Sequence, residues 1–264
     1  MSLRINSNVE ALNAHRQLTM TSNNISKSME RLSSGYRINR AADDAAGLAI
    51  SEKLRGQIRG LSQAQRNAQD GVSLVQTAEG SLNEVHSMLQ RVRELAVQYQ
   101  NGTLSTSDKA AITAEAAQLQ SEIERIGTGA DFNGIKLLNG TATISFQVGA
   151  NDGDVIAVST ATLSSEIGTI DLTDANAISA IDAAIGNVSS LRSSFGAVQN
   201  RLEHTLNNLA TYQENLMASE SRIRDVDMAS EMVEFSKNQI LQQAGTSMLA
   251  QANQAPQSVL SLLR

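Results

Sequence analysis

The chain has 264 residues, 41% of them apolar and only 3% aromatic, with one proline, no tryptophan and no cysteine. Its net charge of -6 removes the basic surface that phosphate backbones require, which argues against nucleic acid as the main partner. The missing cysteines exclude disulfides, thiol catalysis and Cys-ligated zinc, and no apolar run reaches the roughly 18 residues of a membrane span. The opening MSLRINSNVEALNAHRQL lacks the charged start and continuous apolar core of a cleavable secretory signal. That fits a cytoplasmic protein, or one exported by a route that reads no cleavable signal. Small apolar side chains suit thin helix-on-helix seams, and Pro256 leaves everything before it free of the strongest helix breaker.

Residues 6–33 are expected to form a first helix, capped by Asn6, Ser7 or Asn8, with Val9, Leu12, Ile25, Met29 and Leu32 along it. Ser33-Ser34-Gly35 reads as a turn. Asp43-Asp44 heads the next helix, where acidic groups favour the positive end of the dipole. This second helix is expected over 44–99. Its stripe steps by three and four from Leu61 through Ala64, Ala68, Val72, Val75, Ala78, Leu82, Val85, Leu89 and Val92 to Ala96. Asn101-Gly102 ends it. A third helix follows from about Ser107 to Ile126, closed by Gly127 and Gly129.

The pattern changes after residue 130. Ile144, Phe146 and Val148 alternate, Asn151-Asp152-Gly153-Asp154 turns, and Val155, Ile156 and Val158 return, which predicts a β-hairpin near 141–160. A fourth helix is expected from about Asp174 to 219 or beyond, with Leu191, Phe195, Val198, Leu202, Leu206 and Leu209 on one face. A last one is expected over 221–253, ended by Pro256. The fold class is mainly α: an elongated antiparallel helical bundle or coiled coil with a small β-hairpin region. Residues 44–219 form one helical rod, and 1–43 with 220–264 form a second, terminal pair.

Three stretches carry a family resemblance: LSSGYRINRAADDAAGLAISEKLRGQIRGLSQAQRNAQDG at 32–71, LQRVRELAVQYQNGT at 89–103 with FNGIKLLNG at 132–140, and the C-terminal run from Ser221 to Leu263. Together they resemble bacterial flagellins. The resemblance implies a structural subunit that polymerises into the helical filament and is exported unfolded through the flagellar type III apparatus to an extracellular location. It implies an inner terminal coiled coil, a surrounding helical rod, and a minimal form, since only about 35 residues (141–175) occupy the place of the variable outer region. The alternative within the same family is a hook–filament junction protein.

Implied partners are other copies of the chain, an export chaperone at the C-terminal region, the filament cap and the hook-junction proteins. A host Toll-like receptor is a further implied partner, through Gln90, Arg91, Glu94 and Leu95 with Glu115 on the adjacent helix. Ala41, Ala42, Ala45, Ala46 and Gly47, with Ala244 and Gly245, are small enough for close approach at polymerisation seams. Val259, Leu260, Leu262 and Leu263 form an apolar C-terminal tail that neighbouring subunits would cover. The terminal helices are expected to be poorly ordered in free subunits and to fold on assembly.

Little in the chain points to catalysis, and no enzyme activity, cofactor or membrane insertion is expected. His15, His86 and His204 are scattered, with no HExxH-type spacing, and NDGD at 151–154 lacks the spaced oxygens and final Glu of a calcium loop. No phosphate-binding glycine loop occurs.

Overall fold

The structure, a computed structural model, describes residues 8–262, with side chains to residue 254. Six helices run in order: α1 (Val9–Ser34), α2 (Ala45–Tyr99), α3 (Thr106–Gly129), α4 (Leu163–Ile167), α5 (Ala177–Arg224) and α6 (Met228–Leu262). Between α3 and α4 lie β1 (Asp131–Phe132), β2 (Ile135–Lys136), β3 (Thr143–Gln147) and β4 (Val155–Ser159). The residues fall into two compact units, the chain dividing between them at Gly56/Gln57 and at Asn215/Leu216.

The central unit, 57–215, buries the stripe of α2 almost whole: Leu61, Ala64, Ala68, Val75, Ala78, Leu82, Val85, Leu89, Val92 and Ala96 all lie inside. Against it stand Ile112, Ala116 and Ile123 of α3, and Ile181, Ala184, Val188 and Phe195 of α5. Ion pairs Arg93–Asp182 and Arg192–Glu79 mark α2 and α5 as antiparallel, because a step up one is a step down the other. Gly71 sits where a Cβ would come 3.2 Å from Leu202 and 3.3 Å from Phe146, so the absent side chain lets the hairpin and α5 close on α2. A capping box starts α3: the Asp108 carboxylate accepts from the Ser105 amide at 3.1 Å, and Ser105 Oγ accepts from the Asp108 amide.

The hairpin β3–β4 pairs Ile144 with Val158 and Phe146 with Ile156, and all four point inward to different degrees. Its NDGD turn is closed by the Val148 amide on the Asp154 carbonyl at 2.8 Å, with Gly153 at φ 92°. Two elements are additional to the sequence reading. One is β1–β2, a two-residue ladder closed by Asn133 and Gly134 at φ 50° and 79°, the pairing of positive angles that an Asn-Gly hairpin turn needs. The other is the short α4. Gly127 and Gly129 do not close α3 but lie within it; a Cβ on Gly127 would meet Leu163 of α4 at 3.2 Å, so that glycine serves packing.

In the terminal unit α1 and α6 run antiparallel: Asn8 meets Ala252, Leu18 meets Gly245, and Arg31 meets Glu231. The seam follows the expected stripe only in part, with Ile25 and Leu32 half-buried on it. Val9, Leu12 and Met29 are exposed, and the side chains buried between the helices include Thr21, Ser28 and Asn238. The helix break also lies further on than expected, since α5 continues to Arg224 and α6 begins at Met228. There the turn after α1 is stitched to the break: the Arg37 amide donates to the Arg224 carbonyl at 2.7 Å and the Val226 amide to the Gly35 carbonyl at 3.0 Å. The Arg224 guanidinium lies 5.0 Å from the Tyr36 ring centre and binds Glu52 at 2.7 Å.

Pro256 does not end the last helix. A proline inside a helix lacks the amide that would bond the carbonyl four residues earlier, here that of Ala252. That carbonyl accepts instead from Asn8 Nδ2 at 2.7 Å.

Phe195 is 2% exposed at the centre of the larger core, so Phe195→Ala is expected to cost about 3–5 kcal/mol in chemical denaturation. Glu52 titrates below the usual glutamate range, chiefly because Arg224 donates to it. A carboxyl depressed in the folded state stabilises it above the unfolded pKa, and this support is lost as pH falls through the folded value. Acidification through the carboxylate range is therefore expected to speed hydrogen exchange at the Arg37 and Val226 amides. Glu52→Gln is expected to show the faster exchange already at neutral pH and a flatter acid profile.

Candidate assembly and recognition surfaces

Two surfaces stand out, one in each unit. Among the described residues, all but four of the exposed large apolar side chains belong to the terminal unit, the four being Val97, Ile135, Val155 and Tyr212. Leu12, Val233 and Ile240 are 67%, 68% and 66% exposed, levels at which a helix gains nothing from its apolar residues unless something else covers them. Periodicity shows that a face exists, not which of its residues a neighbouring helix covers.

The small residues divide between two roles. Ala41, Ala42, Ala45 and Ala46 are exposed around the start of α2, and Ala244 is exposed on α6. Gly47 is buried beneath them: the Asp44 carboxylate caps α2 by accepting from the Gly47 amide at 2.8 Å, and a Cβ there would strike that carboxylate and come 2.9 Å from Ile38. Gly245 faces α1, where a Cβ would lie 3.3 Å from Leu18. Val259, Leu260, Leu262 and Leu263 lie outside the residues whose side chains are described.

On the central unit Gln90, Arg91 and Glu94 come together on α2 beside Glu115 of α3. Arg91 donates from Nε and Nη2 to one oxygen of Glu115 at 3.1 and 2.9 Å, and from Nη1 to Glu94 at 2.9 Å. These bonds, Glu115 first, raise the arginine pKa further above its ordinary value. Gln90 lies 3.0 Å from the His86 ring nitrogen Nε2. The result is an exposed surface on which one guanidinium is held between two carboxylates; this leaves one negative charge uncompensated, and the exposed ion pairs contribute little stability. Leu95 is not on it. At 1% exposure it is part of the helical core beneath.

A groove of about 660 Å³ runs between the hairpin and the adjoining stretches of α2 and α5, with Leu61, Val148, Ile156 and Leu209 as its floor and Arg201, His204 and Tyr212 on its rim. Among the described residues no three His, Asp or Glu side chains are grouped to hold a metal ion, and no helix is long and apolar enough to cross a membrane.

Residues 5–143 match the bacterial flagellin N-terminal helical region, and residues 178–263 match the flagellin C-terminal helical region. The chain is 57% identical to a flagellin of Halalkalibacterium halodurans, with 98% of this chain and 99% of that one covered. It is 49% identical to the flagellar filament 33 kDa core protein of Treponema phagedenis over 98% and 99% of the two chains. The crystal structure of Bacillus cereus flagellin superposes with a TM-score of 0.51 at 35% identity, covering 55% of this chain and 88% of that one. Both ends of the sequence and nearly its whole length are thus accounted for by one family, and the chain belongs to the bacterial flagellins.

Proposed function

We propose that this chain is a structural subunit that polymerises into the helical flagellar filament, an extracellular appendage, after export as an unfolded chain. The observation that carries the reading is the uncovered apolar side of the terminal pair: Leu12, Val233 and Ile240 face outward, while in the seam Leu18, Ile25, Leu32 and Phe235 are only half-buried. A pair built this way is incomplete alone. Copies that cover one another through a head-to-tail contact that does not close on itself form a filament. In this reading residues 1–43 and 220–264 make the filament core, residues 44–219 surround it, and the exposed Ala41, Ala42, Ala45, Ala46 and Ala244 allow neighbours close approach. The full-length relatives carry flagellin and filament-core names, and no observation favours the hook–filament junction alternative.

An export chaperone for the C-terminal region, the cap and the junction proteins complete the set of proposed partners. The family resemblance adds a host Toll-like receptor reading the patch of Gln90, Arg91, Glu94 and Glu115. In that role Leu95 acts from below, by holding α2 in place.

Seeded polymerisation of the purified chain, viewed by electron microscopy, is expected to give filaments; a seeded wild-type chain that stays monomeric would sink the proposal. Ile240→Glu is expected to abolish assembly while leaving the denaturation of the central unit unchanged, because its side chain meets solvent in the free subunit. For the recognition patch, Arg91→Ala is expected to reduce receptor activation at least tenfold with a stability change below about 1 kcal/mol. Leu95→Ala, by contrast, is expected to destabilise the central unit by about 2–5 kcal/mol. Equal receptor responses from wild-type and Arg91→Ala monomers would remove the patch from the proposal.

A further inference from the structure

Asn8 uses both ends of its side-chain amide. Its Oδ1 accepts from the Ala11 amide at 3.0 Å and so caps α1, while its Nδ2 donates to the Ala252 carbonyl of α6 at 2.7 Å. That acceptor is special. Within an α-helix the carbonyl of one residue takes the amide four residues on, and four beyond Ala252 is Pro256, which has none. α6 continues past the proline, so the Ala252 carbonyl lacks the amide that would ordinarily bond it in its own helix. One side chain thus satisfies an orphan donor at the start of α1 and an orphan acceptor inside α6.

We propose that Asn8 sets the register of the terminal helix pair, and that Pro256 creates the acceptor it reads. The seam itself sets register only in part. Its fully buried side chains are Thr21, Ser28 and Asn238, while the larger Leu18, Ile25, Leu32, Phe235 and Leu249 on the same faces are only half-buried. The Arg31–Glu231 pair near the other end is 3.5 Å apart and partly exposed, which makes it a weak constraint. The chain has a single proline, so no other carbonyl of α6 is freed in this way. A slip of one helical turn, about 5.4 Å, would leave Asn8 opposite a carbonyl already bonded. Such a slip would also move the outward apolar residues of α1 past those of α6, and the composite surface that meets other copies would no longer fit.

This inference rests on the filament reading, and its test separates the two. Seeded assembly of the full chain is compared for wild type, Asn8→Asp, Pro256→Ala and the double variant. Aspartate caps a helix as well as asparagine but cannot donate to a carbonyl. Asn8→Asp is expected to raise the critical concentration about five- to tenfold. In the Pro256→Ala background residue 256 supplies its own amide to Ala252, and the same change is expected to matter less than about twofold. Asn8→Ser, an uncharged cap, is expected to behave as Asn8→Asp does. Wild-type-like assembly by Asn8→Asp, or an equal effect in both backgrounds, overturns the proposal. If the wild type itself forms no filaments, the filament reading fails. The latch is then judged by hydrogen exchange over residues 244–254: protection lost with Asn8→Asp only when Pro256 is present supports it, and any other pattern overturns it.

Discussion

Everything in this protein follows from where a helix can hide its apolar face. In the central unit the face of α2 is covered from within, by α3, α5 and the hairpin, and the cover is nearly complete. In the terminal unit α1 and α6 half-cover Leu18, Ile25, Leu32 and Phe235 and turn Leu12, Val233 and Ile240 outward. Since helices in water draw most of their stability from packing, the first arrangement is better supported from within the chain than the second. The same chain therefore closes its apolar face in its middle and leaves much of it exposed at its ends.

The two kinds of construction use different chemistry. The central core relies on Ala, Val and Leu at helical spacing, relieved by Gly71 and Gly127 where neighbouring elements approach most closely. The terminal unit is held by directional bonds: the Arg37 and Val226 amides, the Arg224 bridge to Glu52, the Asp44 cap and the Asn8 amide. Hydrogen bonds are directional and fix position where side-chain packing is incomplete. A surface that must match a copy of itself gains from the second kind.

What the sequence revealed tracks this division. The stripe from Leu61 to Ala96 could be read because one face of a helix is apolar and buried along its whole length. The faces of α1 and α6 could be found but not oriented, since their outward direction depends on residues such as Thr21 and Asn238 that look like surface positions. The ladder of β1 and β2 escaped because its two-residue strands are too short for alternation, although Asn133-Gly134 carried the turn signal. The stitching of Arg37 to Ile223 joins residues 186 apart and leaves no local trace. In the recognition patch Gln90, Arg91 and Glu94 lie together as one helical segment, and Glu115 is brought beside them only by the return of α3. Leu95 could not be separated from its exposed neighbours until its burial was known.

The bond from Asn8 to Ala252 closes a loop of 244 residues, almost the entire chain. Closing so long a loop carries a large entropic cost, so this pairing belongs at the end of folding, after the central helices have already brought the ends nearer. Completeness thereby becomes a condition of membership. A chain cut before Ala252, or one that has not yet emerged that far, can build its middle but has no acceptor for Asn8.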